Sequence, residues 1–107
     1  MSDRLELLKK MLSEDPNDSF LLFAVAKEYE SLAKLDLAIQ HYEQLRSHDP
    51  DYVGLYYHLG AAYHEKENKD KALEIYKEGI QIAQAIKDQH ALSELKGVLL
   101  NLEMDLD

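Results

Sequence analysis

The strongest constraint on the fold of this chain is an internal repeat with a period of 34 residues. When the sequence is compared with itself at that offset, eight residues meet an identical residue, and Ala26 meets the equally small Gly60. Self-similarity at a fixed period of about 20–50 residues is typical of proteins built from equivalent supersecondary units that stack on one another. The identical pairs are Ser13 with Ser47, Asp15 with Asp49, Pro16 with Pro50, Leu21 with Leu55, Tyr29 with Tyr63, Asp36 with Asp70, Ala38 with Ala72, and Tyr42 with Tyr76.

Apolar residues recur at helical spacing along almost the whole chain. Residues three or four positions apart lie on one face of an α-helix, so each such run predicts an amphipathic helix. Short polar segments separate the runs, and none of the runs alternates as a strand would. We therefore expect six helices, with apolar faces at Leu5, Leu8, Met11 and Leu12; Leu22, Val25, Ala26 and Tyr29; Ala38, Ile39, Tyr42 and Leu45; Tyr56, Leu59, Gly60 and Tyr63; Ala72, Leu73, Tyr76 and Ile80; and Leu92, Leu95, Leu99 and Leu102.

The segments between the helices carry helix stop and start signals. "EDPND" and "HDPDY" place a proline where one helix has ended and an Asn or Asp where the next can be N-capped. The shorter links "AKLD" and "KENKD" put Asp36 and Asp70 near the start of the following helix. A negative charge there suits the positive end of the helix dipole.

The two copies of the repeat carry a recognisable signature of an aromatic, Leu, Gly, Tyr, Ala and a second aromatic at fixed spacing. In this signature the chain resembles the tetratricopeptide repeat family. The first copy has Leu22 for the aromatic and Ala26 for the Gly, and the second has Gln84 where a closing proline would stand. The matching residues are Tyr56, Leu59, Gly60, Tyr63, Ala72 and Tyr76 in the second copy, and Leu22, Val25, Ala26, Tyr29, Ala38, Tyr42, Leu45 and Pro50 in the first.

The resemblance implies an all-α fold of antiparallel helix pairs stacked as a short right-handed α-solenoid. It implies one domain over residues 1–107, with a half repeat at 2–14, a first repeat at 19–50, a second at 53–84 and a capping helix at 88–105. Leu8 and Met11 would take core positions, and the leucines of the last helix would face inward. Small residues such as Gly60 and Ala72 let the helix axes approach, while large residues fill the spaces between helix pairs.

Composition restricts the partners and the chemistry. Acidic residues outnumber basic ones 21 to 12, and the net charge of -9 argues against nucleic acid and anionic membranes. The chain lacks cysteine, so neither disulfides nor thiolate metal sites are expected. The start lacks the apolar core of a signal peptide, and no apolar run approaches the roughly 20 residues needed to span a bilayer. We expect a soluble, cytoplasmic protein without a cofactor.

Catalytic patterns are absent from the sequence. There is no phosphate-binding glycine loop, no nucleophile elbow and no His-Glu-x-x-His. Carboxylate pairs such as Glu28 with Glu30 and Glu65 with Glu67 fall on helix faces that we expect to be solvated. No acid, base and nucleophile converge in the sequence pattern. We expect no catalytic residues, no metal ligands and no enzymatic activity. The histidines, which we interpret as surface or half-buried rings, are His41, His48, His58, His64 and His90.

The family resemblance implies a non-catalytic protein-interaction module that binds a peptide or partner protein in a concave groove. The first helix of each pair would line that groove. The aromatic residues among them lie off the apolar stripes, so they would either contact a partner or be covered by a terminal helix, and cover is expected for Phe20. The candidate contact residues are Phe20, Phe23, Lys27 and Glu30 in the first repeat, and Tyr57, Ala61, His64 and Glu65 in the second.

Two further partner hypotheses can be tested on the residues. Some family members hold the carboxylate tail of a chaperone with Lys and Asn side chains. Phe23, Lys27 and His58 stand at three of those positions, so that ligand is not expected here. An alternative function is a self-assembling scaffold, a homodimer through the terminal helices, because Leu100 and Met104 fall on the outer side of the last helix and Leu7 on the outer side of the first.

Overall fold

A computed structural model of the chain describes residues 3–105, which form six α-helices and no strand. The prediction of six helices is therefore confirmed. The starting point of the predicted half repeat, Ser2, and the ends of the predicted domain, Met1 and Asp107, lie outside the described residues. The helices are α1 (Asp3–Glu14), α2 (Ser19–Ser31), α3 (Leu35–His48), α4 (Gly54–Glu65), α5 (Lys69–Ile86) and α6 (Gln89–Glu103).

The described helices divide into two compact units. The first unit ends at Tyr52 and contains α1, α2 and α3, and the second begins at Val53 and contains α4, α5 and α6. Each unit contains a pair of consecutive helices that pack against each other, α2 with α3 in the first unit and α4 with α5 in the second. The short links between these partners make each pair an antiparallel helix hairpin. The division into repeats that the sequence suggested stays a prediction.

In the first unit α2 is the central helix, because it packs against both α1 and α3. Six of its residues are buried, compared with two on α1 and three on α3. On α1, Leu5 and Leu8 are buried but Met11 is 43 % exposed, so the predicted core position of Met11 is wrong. Within residues 3–105, α1 contacts α2 alone, and one neighbour covers only part of its apolar stripe. The buried core of this unit consists of Leu5, Leu8, Leu21, Leu22, Ala24, Val25, Ala26, Tyr29, Ala38, Tyr42 and Leu45.

In the second unit, two glycines allow close packing of the helices. A Cβ on Gly60 of α4 would lie 2.6 Å from Cδ1 of Tyr76 on α5. A Cβ on Gly79 of α5 would lie 2.9 Å from Cγ of Tyr56 and 3.1 Å from Cδ1 of Leu95 on α6. The contacts with Tyr76 and with Tyr56 are shorter than the distances that Cβ atoms in proteins keep from their neighbours. Only glycine therefore fits at positions 60 and 79 without rearrangement.

The last helix, α6, packs on α5 and to a smaller extent on α4. Leu95 and Leu102 are buried as the apolar stripe predicted, whereas Leu92 and Leu99 are half-buried. Tyr63 of α4 is also half-buried rather than part of the closed core, with the ammonium of Lys71 lying 5.9 Å from its ring centroid.

Three helices end in the same hydrogen-bonded motif. Ala33, Glu67 and Lys87 have φ values of 59°, 63° and 63°, in the left-handed region. After α4, the Glu67 amide donates to the His64 carbonyl at 2.9 Å and the Asn68 amide donates to the Tyr63 carbonyl at 2.9 Å. This is the Schellman arrangement, which satisfies carbonyls at the end of a helix. The amides at 33 and 34 after α2, and at 87 and 88 after α5, repeat the pattern.

Helix starts follow the sequence signals in part. Asp18, Asn68 and Asp88 cap α2, α5 and α6, each accepting a hydrogen bond from a backbone amide three residues on, at 2.9 to 3.2 Å. The expected cap before α4 is wrong, since Val53 stands at that N-cap and makes no side-chain bond. Lys34, before α3, makes none either. The acidic residues at 36 and 70 lie in the first turns of α3 and α5, as predicted.

Candidate functional site

A cleft of about 320 Å³ lies in the first unit between α1 and α2. Its α2 residues recur every three or four positions, so they form one face of the helix. Three of the four residues predicted for partner contact in this unit belong to the lining. The lining residues are Arg4, Phe20, Phe23, Ala24, Lys27, Glu28 and Ser31.

Phe23 forms a rigid part of this cleft. Its ring centroid lies 6.0 Å from that of Tyr42 in an edge-on arrangement and 5.2 Å from that of Tyr52 in a tilted one. Burial raises the pKa of the Tyr52 hydroxyl, and the negative charges of Asp49 and Asp18 raise it further. The two ring contacts hold one side of Phe23, which is half-buried, and its other side borders the cleft.

Phe20 and Lys27 are the accessible members of the cleft. Phe20 is 62 % exposed, so the expectation that the N-terminal helix covers it is wrong. The physical reason is that α1, although it packs against α2, leaves most of the Phe20 side chain in the first turn of α2 uncovered. The ammonium of Lys27, one turn beyond Phe23, lies 5.6 Å from the centroid of the Phe23 ring. That distance is within the range of a cation–π contact.

Glu30 has a structural role inside the helix pair. The Tyr42 hydroxyl donates a hydrogen bond of 2.8 Å to Oε1 of Glu30. Burial, that hydrogen bond and the carboxylate charge together raise the pKa of Tyr42 far above its ordinary value. Glu30 thus anchors a buried tyrosine, and it is absent from the lining of the cleft.

Arg4 and Glu28 close the cleft on the side of α1. Nε of Arg4 lies 3.6 Å from Oε1 of Glu28, whose side chain is only 17 % exposed, whereas that of Arg4 is 67 % exposed. The sequence did not identify these two residues, or Ala24, as site residues. Their contribution depends on how α1 is aligned against α2, and no local pattern encodes that alignment.

The four residues predicted in the second unit have different environments. Tyr57 is half-buried and its ring lies edge-on to that of His58, with 5.5 Å between centroids. Ala61 is half-buried and Glu65 is exposed. His64 is exposed and lines a cleft of about 200 Å³ together with Tyr76, Val98, Asn101 and Leu102.

A small polar cluster joins the end of α6 to the α4–α5 link. Nε2 of His64 lies 3.8 Å from Oδ2 of Asp105, and Nζ of Lys69 donates a 2.7 Å hydrogen bond to the Asp105 carbonyl. With Glu67 these residues line a cleft of about 300 Å³. Across residues 3–105, no group of three or more His, Asp or Glu side chains is arranged to hold a metal ion. In the same part of the chain, no helix is long and apolar enough to cross a membrane.

Two successive pairs of antiparallel helices are the architecture of a helical-repeat protein. The chain belongs to the tetratricopeptide repeat family, whose family model matches residues 31–97. Both the family assignment and the all-α helix-pair repeat fold that the sequence suggested are confirmed. No curated protein matches the chain.

Solved structures show the same fold over most of the chain. A tetratricopeptide repeat domain protein from Salinibacter ruber is 36 % identical, with a TM-score of 0.80 and coverage of 86 % of this chain and 94 % of that one. A protein from Bordetella parapertussis is 26 % identical, with a TM-score of 0.84 and coverage of 96 % and 90 %. The TPR2B domain of yeast Sti1, solved in a complex with pHsp70, is 16 % identical, with a TM-score of 0.86 and coverage of 92 % and 79 %.

Proposed function

We propose that this chain is a non-catalytic protein-interaction module that binds a peptide or a segment of a partner protein. The contact surface is formed by the first helix of each helix pair, which is α2 in the first unit and α4 in the second. The observation that carries the proposal is the cleft between α1 and α2. It combines the exposed ring of Phe20, the fixed ring of Phe23 and the ammonium of Lys27 on one helix face. A large exposed aromatic beside a preorganised one is the combination that dominates many binding surfaces.

The fold supplies a precedent for this use. The Sti1 domain forms its complex on the same helix-pair architecture. In the second unit, Tyr57, Ala61, His64 and Glu65 remain the proposed contact residues. A cytoplasmic site of action is part of the same proposal.

The decisive test is a cross-linking pull-down from the native cell with wild-type chain and with Phe20→Ala as baits. Phe20 is exposed, so its removal should leave the melting temperature almost unchanged while recovery of partners falls. Leu7→Ala, at a similarly exposed position of α1, is the matched control and should recover partners like the wild type. Equal recovery by all three baits would contradict a binding role for the cleft.

A second candidate function is self-assembly, favoured by the apolar outer side of α6. Leu100 and Met104, one turn apart, are 56 % and 68 % exposed. Size-exclusion chromatography with light scattering measures the oligomeric state. A dimer that Leu100→Asp dissociates would support assembly, and a monomer at high protein concentration would contradict it.

A further inference from the structure

We propose that the cleft between α1 and α2 selects a peptide segment that presents a large aromatic side chain next to a side-chain carboxylate. This inference rests on the proposed function and specifies the chemistry of its partner. The aromatic side chain would pack against Phe20 and Phe23, and the carboxylate would meet Lys27 and Arg4. Neither contact requires the end of the partner chain, so the segment can lie anywhere in the partner.

The local charge of the cleft is opposite to that of the chain. Although the net charge is -9, the lining contains two cations and one carboxylate. That carboxylate, on Glu28, is already paired with Nε of Arg4. Within residues 3–105, Lys27 has its ring contact with Phe23 and no ion pair. The ammonium of Lys27 and the terminal guanidinium nitrogens of Arg4 are therefore available to an acidic ligand.

The apolar part of the cleft is already ordered. Phe23 is held by Tyr42 and Tyr52, so a ligand that packs on it loses little entropy from the protein side. Phe20 lies one turn earlier on the same face and is largely uncovered. The volume of about 320 Å³ is near the lower end of ordinary ligand pockets, roughly 300–1,000 Å³. It suits one or two side chains rather than a whole folded ligand.

The spacing of the two contacts limits the ligand further. Phe20 and Lys27 are two helical turns apart, which corresponds to about 10 Å along α2. Phe23 lies between them, with Lys27 directly beside its ring. Adjacent residues of an extended peptide span about 3.5 Å, and their side chains reach further. An aromatic residue and a neighbouring acidic residue can therefore occupy both positions at once.

Four labelled peptides in a Gly/Ser host test the proposal, with Trp-Glu, Trp-Gln, Ala-Glu or Ala-Gln at the centre. Fluorescence anisotropy would give each Kd, and amide chemical shifts would locate the contact. We expect Trp-Glu to bind at least about tenfold more tightly than Ala-Glu because the ring buries apolar area. At low ionic strength it should bind about twofold to fivefold more tightly than Trp-Gln, the range of exposed ion pairs, and salt should reduce that ratio.

Charge variants separate this specificity from general stickiness. Lys27→Gln should weaken the preference for Trp-Glu over Trp-Gln, since Arg4 remains, and keep the preference for Trp over Ala. Lys9→Gln removes a lysine that is also exposed but lies outside the cleft lining, and it should leave both preferences intact.

Equal affinity of wild type for Trp-Glu and Trp-Gln, an unchanged preference in Lys27→Gln, or failure of all four peptides to bind would overturn the inference. In each of these cases, a pull-down that still depends on Phe20 would leave the proposed function standing. Loss of that dependence, with the peptide preferences intact, would instead reject the proposed function in the cell and keep the chemical selectivity of the cleft.

Discussion

Gly60 on α4 lies directly against the ring of Tyr76 on α5, so that a Cβ at position 60 would stand 2.6 Å from Cδ1 of that ring. The backbone of one helix thus forms the wall against which the tyrosine of the other packs. Tyr76 itself is almost fully buried. The glycine of the repeat signature therefore allows an aromatic side chain to fill the space between two closely spaced helices.

We expect Gly60→Ala to lower the free energy of unfolding by about 1–3 kcal/mol, because the added methyl group overpacks the core against Tyr76. Gly60→Leu should cost more. Gly97→Ala is the matched control, since nothing lies within 4 Å of a Cβ there. In the middle of α6, that change should raise the free energy of unfolding by about 0.5–1 kcal/mol. Urea denaturation measures both, and equal values for the two alanine variants would contradict the close-approach explanation.

Gly79→Ala should destabilise the protein more than Gly60→Ala does. At position 79 the new methyl group would meet Cβ and Cγ of Tyr56, which are fixed to the backbone of α4, whereas at position 60 it meets ring atoms that can move. A Gly79→Ala variant as stable as Gly60→Ala would show that α4 and α5 separate easily.

The position of the first repeat that is equivalent to Gly79 holds Leu45, which is fully buried. The variant Leu45→Ala should leave a cavity in the core and lower the free energy of unfolding by about 2–5 kcal/mol, as measured by urea denaturation.

Lys34→Asn should stabilise the protein by about 0.5–2 kcal/mol. Lys34 stands at the N-cap of α3 and makes no capping bond, whereas Asn68 at the equivalent position accepts a 3.2 Å bond from the Lys71 amide. Asn68→Ala should cost a similar amount, and thermal unfolding of the two variants measures both effects. If Lys34→Asn had no effect while Asn68→Ala destabilised, the start of α3 would be limited by something other than the missing cap.

Stability should fall in strongly alkaline solution because of Tyr76. Burial, with a smaller effect of Tyr57, raises the pKa of Tyr76 from 10.0 to about 12. Above pH 10 the unfolded chain loses this proton while the folded chain keeps it, so unfolding becomes more favourable as the pH rises. The contribution of Tyr76 to this loss approaches about 1.4 kcal/mol per pH unit and ends near the pKa of Tyr76 in the folded chain.

The variant Tyr76→Phe isolates this effect. Its free energy of unfolding, measured in urea from pH 9 to 12, should decline less steeply than that of the wild type. Tyr52→Phe is the control at a more accessible ring, whose smaller burial predicts a smaller change in slope. Parallel pH profiles for wild type and Tyr76→Phe would contradict the prediction.

Helix number, helix pairing and the main core positions follow from the sequence because they depend on local spacing and on the 34-residue repeat. The sharing of one face of α2 by Phe20, Phe23 and Lys27 also follows from local spacing in the sequence. The roles of Arg4 and Glu28 are not, because they depend on the contact between α1 and α2.

Errors in the sequence predictions have the same origin. Met11 and Phe20 have helical positions that the sequence predicts well, but their exposure depends on how α1 is aligned against α2, which no local pattern encodes. Gly79 lies outside the repeat signature, and the need for it appears only when Tyr56 and Leu95 are placed around it. Glu30 looked like a surface residue by spacing, and its hydrogen bond with Tyr42 crosses between helices.

Asn68 and Asp88 each end one helix and begin the next. The amide of each closes the C-terminal motif of the preceding helix, and the side chain of each caps the following one. An inserted residue would separate these two tasks, so epitope tags or reporter peptides placed in these links should disrupt two helices at once. None of the exposed residues Asp15, Pro16 and Asn17 both closes the preceding helix with its amide and caps the following one with its side chain. In the first unit, this link is therefore the better place to graft foreign sequence.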